Sequence, residues 1–420
     1  MIRIKTSIRN RRPAGPLWFR WGICAAIAPA LALGGWTSPA ASAVVTVPSP
    51  SAASPSPDSG SAAVSAPEPI RHPPLAGKQP STHARADALI DVASGRLLAG
   101  HNGDKEMKIA SLTKIMTAIV AIENGRLNDT VTVSKNAAGK EGSSLYLRLG
   151  EKIKLENLLY GLMLRSGNDA ATAIAEHVGG SLEGFVYLMN RKSEELGLTH
   201  THFANPHGLD QPEHYSSAND LAALTAYALH NDTFKTIVRT KFRKAPNPND
   251  PWDYEWKNKN RMLTMYDGAD GVKTGYTKQA LRCLVSSATR GGQQLVAVTL
   301  NDGDDWQDHR KLLDYGFERF PLQLVVKKGE PVAGNPYVAA ADFRYPFEAG
   351  ERADLRVRVM PLASTDIAYA FGSRGTLSFR LGDNVIGRVG LVEAPGAVSP
   401  VAPGGSGGPA SRTPVPEHRP

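Results

Sequence analysis

Between residues 84 and 321, stretches with helical spacing of apolar residues lie between runs of β-rich composition. From Ser111 onward, apolar residues recur every three or four positions, and Gly125 follows the last of them. This spacing predicts an amphipathic helix that ends at the glycine. The same reasoning predicts helices at 155–165, 168–178, 181–196, 217–230 and 306–319.

Strand-like segments lie near both ends of this region. Residues 88–92 and 96–99 flank the turn Ala93-Ser94-Gly95 and predict a hairpin. Further strands are predicted at 270–277, 281–288 and 294–300. Strands at both ends with helices between them favour a mostly antiparallel sheet flanked by helices, an α/β fold of the α+β type, over a doubly wound parallel sheet.

The pattern changes after residue 320. Leu355, Val357 and Val359 alternate with charged residues, and the stretch that begins at Leu377 repeats this period of two. Such alternation, interrupted by Gly and Pro, predicts a small all-β domain over 321–393, after a main domain at 84–320. Residues 44–83 are rich in Pro, Ser and Ala and predict an extended linker, and 394–420 predicts a disordered Pro/Gly/Ser tail.

The first 43 residues have the composition of an export signal. They contain six basic residues and no acidic residue, an apolar run from Ile23 to Leu33, and the small residues Ala41-Ser42-Ala43. The apolar run is too short for an ordinary membrane span, which needs about 20 residues. We expect a signal peptide over 1–43 and an extracytoplasmic protein, with membrane contact only if this segment stays uncleaved.

Charge and cysteine content exclude several function classes. The formal net charge is +8, but six of the positive charges lie in residues 1–43, so the rest of the chain carries only +2 and no nucleic-acid partner is expected. Cleavage would remove Cys24 and leave Cys283, in a predicted strand, as a buried structural thiol. No His/Cys cluster has the spacing of metal ligands, and neither a metal nor a cofactor is expected.

Three short strings carry the candidate chemistry: Ser111-Leu112-Thr113-Lys114, Ser166-Gly167-Asn168 and Lys273-Thr274-Gly275. Ser111 and Lys114 share one face at a helix start, and a lysine activates a serine only if its pKa is lowered by burial or by a second cation. Each string has an ordinary explanation alone, such as a helix cap for the second. Their order, and their placement on a helix start, a loop and a strand, match an acyl-transfer site.

The sequence around these strings resembles the serine-type D-Ala-D-Ala carboxypeptidases, the low-molecular-mass penicillin-binding proteins. The likeness extends through 110–118, 166–171, 201–210, 215–218 and 270–277. It implies a β-lactamase/transpeptidase-like fold, peptidoglycan stem peptides as substrates, and β-lactams as covalent inhibitors. It also implies Ser111 as nucleophile, Lys114 as base and Ser166 as proton shuttle. Asn168 would bind the substrate backbone, and Lys273 and Thr274 its terminal carboxylate, beside Gly275, where the lack of a side chain lets backbone and ligand approach closely. The backbone N–H groups of Ser111 and Tyr276 would form the oxyanion hole.

Two features depart from the family pattern, and three alternatives stay open. No arginine follows the third strand at 301–305, and the C-terminal residues are too rich in Pro and Gly for a membrane-surface helix. A D,D-endopeptidase would use the same residues. A β-lactamase would need a deacylating glutamate, for which no suitable context is found, and a non-catalytic wall-binding module would not need three intact strings. In the loop 205–208 we expect His207 to brace the site rather than act as a base.

Overall fold

The computed structural model describes residues 68–75, 77–332 and 334–394. The chain divides into two units, Met1–Ser65 and Ala66–Pro420, and every described residue belongs to the second. The predicted signal segment, the first part of the linker and the tail beyond residue 394 lie outside the described residues. Within the described part of the chain, no helix combines the length and apolar character needed to cross a bilayer.

The strands of the larger, N-terminal part are, in chain order, β1 (Ala86–Asp91), β2 (Leu97–His101), β3 (Thr130–Thr132), β4 (Lys152–Lys154), β5 (Phe242–Ala245), β6 (Tyr254–Lys257), β7 (Ala269–Thr277), β8 (Leu281–Arg290) and β9 (Gln293–Leu300). The helices are α1 (Lys114–Asn124), α2 (Leu155–Tyr160), α3 (Asn168–Gly179), α4 (Leu182–Glu195), α5 (Ala218–Ala228), α6 (Asp232–Arg239), α7 (Met262–Met265) and α8 (Asp305–Arg319).

The central sheet has the order β2-β1-β9-β8-β7, and all of its neighbouring strands run antiparallel. One face packs against the helical layer around α1, α3 and α5, and the other packs against α8 through residues such as Leu89, Leu295 and Leu312. The predicted mostly antiparallel sheet flanked by helices is confirmed. Strand β7 lies at the edge of this sheet, so it pairs with β8 on one side and has no neighbouring strand on the other among the described residues.

The C-terminal part adds strands with a separate apolar core. They are β10 (Leu322–Val326), β11 (Tyr337–Ala339), β12 (Phe343–Pro346), β13 (Leu355–Pro361), β14 (Gly375–Leu381) and β15 (Asn384–Glu393), with one helical turn, α9 (Ile367–Ala370). Strands β11-β15-β14-β13 form one antiparallel sheet and β10 pairs with β12. Tyr345, Phe347 and Phe379 are buried between them. The predicted all-β region is confirmed, while the domain boundaries remain predictions.

Arg96, in the turn between β1 and β2, joins the two parts. Its guanidinium donates to Pro346 O at 2.8 Å and pairs with both carboxylate oxygens of Glu351 at 2.6 and 2.7 Å. It also lies 5.1 Å from the Phe320 ring centroid. Because the Arg96 side chain is only 4% exposed, this bidentate pair is shielded from water and fixes the C-terminal sheet against the main sheet.

The last residues of the predicted linker contact the C-terminal part of the protein. The described linker residues, from 68 onward, have no regular secondary structure up to β1, but they are bound to the body of the protein. Arg71 N donates to Val385 O at 2.8 Å, and His72 Nδ1 is 3.1 Å from the Tyr345 hydroxyl. Composition alone did not indicate these contacts, because they depend on the shape of the C-terminal sheet.

Candidate active site

Ser111 lies in a 3₁₀ turn, Ala110–Thr113, that leads directly into α1. Lys114 is the first residue of α1, and its Nζ is 3.0 Å from Ser111 Oγ. The shared face that the spacing predicted is therefore present. The sequence did not indicate that Ala110, just before the serine, adopts a positive φ of 49°, which sets the direction in which the chain enters the turn.

The Lys114 amine is fully buried and has two further partners. Its Nζ lies 2.7 Å from Asn168 Oδ1 and 2.5 Å from the His207 carbonyl oxygen. Carbonyl oxygens only accept hydrogen bonds, so in the neutral form of the amine these two contacts use both of its N–H groups. The lone pair of that form then faces the Ser111 hydroxyl, which is the orientation that a base needs.

Electrostatics favour the neutral form of Lys114. Burial is the largest cause that lowers its pKa well below the usual lysine value, and the nearby cations Lys273 and Lys259 lower it further. Burial, with a contribution from Lys259, also lowers the pKa of Lys273 to about 7. The expected requirement for a lowered lysine pKa is therefore met by desolvation and a second cation together.

The second string forms a loop before α3. Ser166 adopts a left-handed conformation, with φ of 67°, after one π-helical turn, Gly161–Arg165, that follows α2. No side chain caps α3 at Gly167, so the ordinary explanation of this string as a helix cap is wrong. Ser166 is 4% exposed, at the start of a loop that brings Asn168 to Lys114.

Asn168 is more engaged with the protein than the resemblance implied. Its amide oxygen accepts from Lys114, and its amide nitrogen donates to the Glu141 carbonyl oxygen at 2.7 Å. One amide N–H is left for a substrate. Contact with the substrate backbone stays a prediction, while the contact with Lys114 shows that Asn168 also positions the amine.

The third string lies on the edge strand β7, which packs against the 3₁₀ turn. A Cβ on Gly275 would lie 3.2 Å from Ile109 O and 3.3 Å from Ser111 N, so only glycine allows this approach without displacement. Lys273 is buried, and its Nζ donates to the Thr274 carbonyl oxygen at 2.6 Å. Tyr276 is 64% exposed. The backbone of β7 therefore runs beside Ser111.

The loop 205–208 supports the site through its backbone. Asn205 Oδ1 accepts from His207 N at 3.2 Å and Gly208 N at 2.7 Å, which orients the His207 carbonyl toward Lys114. Burial is the largest cause that lowers the pKa of the His207 ring, to about 3. These contacts support a bracing role for this loop, as expected from the sequence.

Two supporting residues were missed from the sequence. His214 Nδ1 accepts a hydrogen bond from Ala204 N, so the ring proton is on Nε2, which donates to Thr113 Oγ1 at 2.7 Å. The Thr113 hydroxyl in turn donates to Ala110 O at 2.9 Å. This chain of bonds holds the turn that carries Ser111. Asp169 accepts from the backbone N–H groups at 145 and 147 and from the Ser144 hydroxyl.

Their signal in the sequence was weak. Tyr215-Ser-Ser-Ala218 directly follows His214, and Asp169 directly follows the second string, but neither residue has a spacing typical of a partner.

Cys283 lies opposite Gly275 in the β7–β8 pair, and burial raises the pKa of its thiol to about 12. It is buried without a disulfide, as expected. Arg282 forms an ion pair with Asp305 and lies opposite Tyr276.

Comparisons with known proteins agree with this arrangement. The chain is 35% identical over 258 residues to D-alanyl-D-alanine carboxypeptidase DacF of Bacillus subtilis, covering 60% of this chain and 66% of the relative. It is 37% identical over 267 residues to DacC of Escherichia coli, covering 59% of this chain and 64% of the relative. The match thus spans slightly less than two thirds of the length of these relatives.

Solved structures give the same result. Penicillin-binding protein 5 from Haemophilus influenzae matches with a TM-score of 0.63 at 28% identity, covering 76% of this chain and 98% of that one. A variant of the Streptomyces K15 DD-transpeptidase matches with a TM-score of 0.55 at 34% identity, covering 57% and 100%. The model of the family Peptidase_S11, D-alanyl-D-alanine carboxypeptidase, matches residues 74–304, which is more than half of the chain, and the chain therefore belongs to this family.

Proposed function

We propose that this chain is a serine-type D-alanyl-D-alanine carboxypeptidase that removes the terminal D-Ala from peptidoglycan stem peptides. The observation that carries the proposal is the environment of Lys114, whose two N–H groups are taken by Asn168 Oδ1 and His207 O. In its neutral form, which burial favours, the amine then has only its lone pair to offer Ser111. This geometry supports Lys114 as the base and Ser111 as the nucleophile.

In the proposed reaction, Ser111 Oγ attacks the carbonyl of the penultimate residue, and its proton passes to Lys114 Nζ. The negative oxygen of the tetrahedral intermediate is held by the backbone N–H groups of Ser111 and Tyr276. A proton returns to the leaving amine of D-Ala through the Ser166 hydroxyl, and the C–N bond breaks. Water then hydrolyses the acyl-enzyme and releases the shortened peptide.

Substrate binding is proposed to use the free side of the edge strand β7. An extended peptide can pair with an unpaired strand edge through its backbone, and the buried cation Lys273 with Thr274 and Gly275 suits the terminal carboxylate of that peptide. β-Lactams, as mimics of the D-Ala-D-Ala dipeptide, would acylate Ser111 by the same steps and hydrolyse slowly.

The remaining parts of the chain fit an exported enzyme. We propose that 1–43 is a signal peptide, that 84–320 is the catalytic domain and 321–393 a β-rich accessory domain, and that the enzyme acts outside the cytoplasm. The family membership supports this location because peptidoglycan peptides lie there. The second candidate, a D,D-endopeptidase, is retained because the same residues can cleave a cross-link.

The test measures D-Ala release from a stem pentapeptide by the purified chain, beside Ser111→Ala and a control, Ser364→Ala, at an exposed serine of the C-terminal part. We expect release by the wild type and the control and none by Ser111→Ala. Full activity of Ser111→Ala would contradict the nucleophile assignment. A wild type that cleaves cross-linked dimers and releases no D-Ala would establish the endopeptidase.

A further inference from the structure

A second cluster of polar side chains lies at one end of the central sheet. His83 precedes β1, Asp302 follows β9, and Asp308 lies in the first turn of α8. Because β1 and β9 are antiparallel, with Ala86 opposite Leu300, the beginning of one and the end of the other meet at the same edge. One ligand atom from each of the three side chains lies within 4.8 Å of the others.

Two of these groups already have the spacing of a chelate. His83 Nδ1 is 2.9 Å from Asp308 Oδ2. Two neighbouring ligands that each lie about 2.1 Å from one ion are separated by roughly 3.0–3.4 Å in octahedral or tetrahedral geometry. To bind one cation, the imidazole and the carboxylate would exchange their direct contact for the ion and separate by roughly 0.1–0.5 Å.

The Asp302 carboxylate has one buried oxygen without a hydrogen-bond partner in the described part of the chain. Asp302 is 2% exposed, and its Oδ1 accepts from Asp304 N at 2.9 Å. Its Oδ2 is buried and has no hydrogen-bond partner among the described residues. The neighbouring Thr299 hydroxyl is 3.1 Å from His309 Nε2. It also lies near the Asp302 carboxylate and favours its charged form, but burial outweighs this effect and raises the pKa of Asp302 to about 6. A buried carboxylate oxygen without a hydrogen-bond partner destabilises the folded state, and a bound cation would remove this penalty.

The other contacts of Asp308 are compatible with a cation. Lys311 Nζ donates to Oδ1 at 2.8 Å, and the backbone N–H of His83 donates to Oδ2 at 2.5 Å. Lys311 therefore leaves Oδ2 to the imidazole side of the cluster. The His83 side chain is 61% exposed, so water can reach the site and complete a coordination shell.

We propose that His83, Asp302 and Asp308 bind a divalent transition metal ion, with Zn²⁺ as the best match, and that this ion fastens the segment leading into β1 to the beginning of α8. A nitrogen ligand together with two carboxylates favours Zn²⁺ over Mg²⁺ and Ca²⁺, which prefer oxygen alone. The sequence predicted no metal, because His83 is far from the aspartates along the chain and only the fold brings the three together.

The test uses the purified, untagged full chain after treatment with a chelator and dialysis. ZnCl₂, MgCl₂ and CaCl₂ are titrated by calorimetry, and thermal unfolding is recorded with and without each salt. We expect one Zn²⁺ site per chain whose occupation raises the Tm, with much weaker binding of Mg²⁺ and Ca²⁺. Binding of a ligand to the folded state alone raises stability in this way.

Two variants and one control distinguish this site from other metal-binding groups. His83→Gln changes an exposed side chain, and Asp302→Asn removes the unpaired carboxylate; each should weaken Zn²⁺ binding at least about tenfold. His101→Gln, at the exposed end of β2, should bind Zn²⁺ as the wild type does. Absence of saturable Zn²⁺ binding, or unchanged binding in both variants, would show that His83 and Asp308 form only an ion pair.

Discussion

The close contact between Gly208 and the turn that carries Ser111 allows a sharp test of how the nucleophile is positioned. Gly208 has φ of 87°, and a Cβ at this position would lie 1.9 Å from Ala110 O and 2.9 Å from Thr113 Oγ1. Ordinary contacts of a Cβ begin at 3.4 Å. In Gly208→Ala, the backbone of residue 110 would therefore have to move by about 1.5 Å, the difference between these distances.

The matched control is Gly139→Ala. Gly139 also has a positive φ, of 74°, but a Cβ there would meet nothing within 4 Å. In both variants the left-handed backbone conformation of the new alanine lowers the free energy of unfolding by about 1–2 kcal/mol. Only Gly208→Ala is destabilised further by overpacking, by about 1–3 kcal/mol. Urea denaturation should therefore show a larger loss in the free energy of unfolding for Gly208→Ala.

The rate of acylation gives the second readout. A displacement of about 1 Å in a reacting group can reduce a rate by roughly 100-fold. Stopped-flow acylation by a fluorescent penicillin should be slowed by about this factor in Gly208→Ala and unchanged in Gly139→Ala. Equal stability and equal acylation rates of the two variants would refute the argument that the 205–208 loop sets the position of Ser111.

Three further predictions concern buried ionisable groups. Burial lowers the pKa of Lys273 in the folded protein to about 7, from the ordinary lysine value of 10.5. Between these two pH values the lysine is protonated in the unfolded chain and mostly neutral in the folded protein, so the free energy of unfolding of the wild type should rise with pH over this window. Lys273→Met should raise the free energy of unfolding at pH 7, flatten that rise and weaken substrate binding, as measured by urea denaturation and KM; a pH dependence identical to that of the wild type would contradict this. Asn168→Ala removes one acceptor from Lys114 and should lower the acylation rate about 10–100-fold and change its pH profile, whereas an unchanged profile would show that Asn168 does not position the amine. Cys283 should react with a thiol reagent only after unfolding, because it is buried and the pKa of its thiol is raised to about 12; rapid labelling of a folded Cys24→Ser chain would contradict its placement in the core.

The sequence predicted the long elements well because their apolar periodicity agrees with their packing. The predicted helix at 168–178 is observed as Asn168–Gly179, and the strand at 281–288 as Leu281–Arg290. The two-stranded sheets β3–β4 and β5–β6 were not predicted, because strands of three or four residues are too short to show a clear alternation. Helix α6 was also missed: its buried residues Phe234, Ile237 and Val238 follow helical spacing, but the helix spans only eight residues, which is too short a window for that period to stand out.

The three strings do meet in space, as their order suggested, but the contacts that tune them were beyond the sequence. The His207 carbonyl on Lys114 is a backbone group, and a backbone group has no residue signature. Burial of Lys114 and Lys273 is also a property of the packed helical layer and β7 together. The expectation of no metal came from spacing along the chain, which cannot detect a cluster such as that of His83 with two distant aspartates.

The most direct test of the central claim is to locate the acyl group on the trapped enzyme. The purified chain is incubated with benzylpenicillin, its intact mass is measured, and the labelled peptide is sequenced by tandem mass spectrometry. We expect a gain of one penicillin per chain on Ser111, and no gain in Ser111→Ala. A label on any other residue, or an equal gain in Ser111→Ala, would contradict the assignment of Ser111 as the nucleophile activated by Lys114.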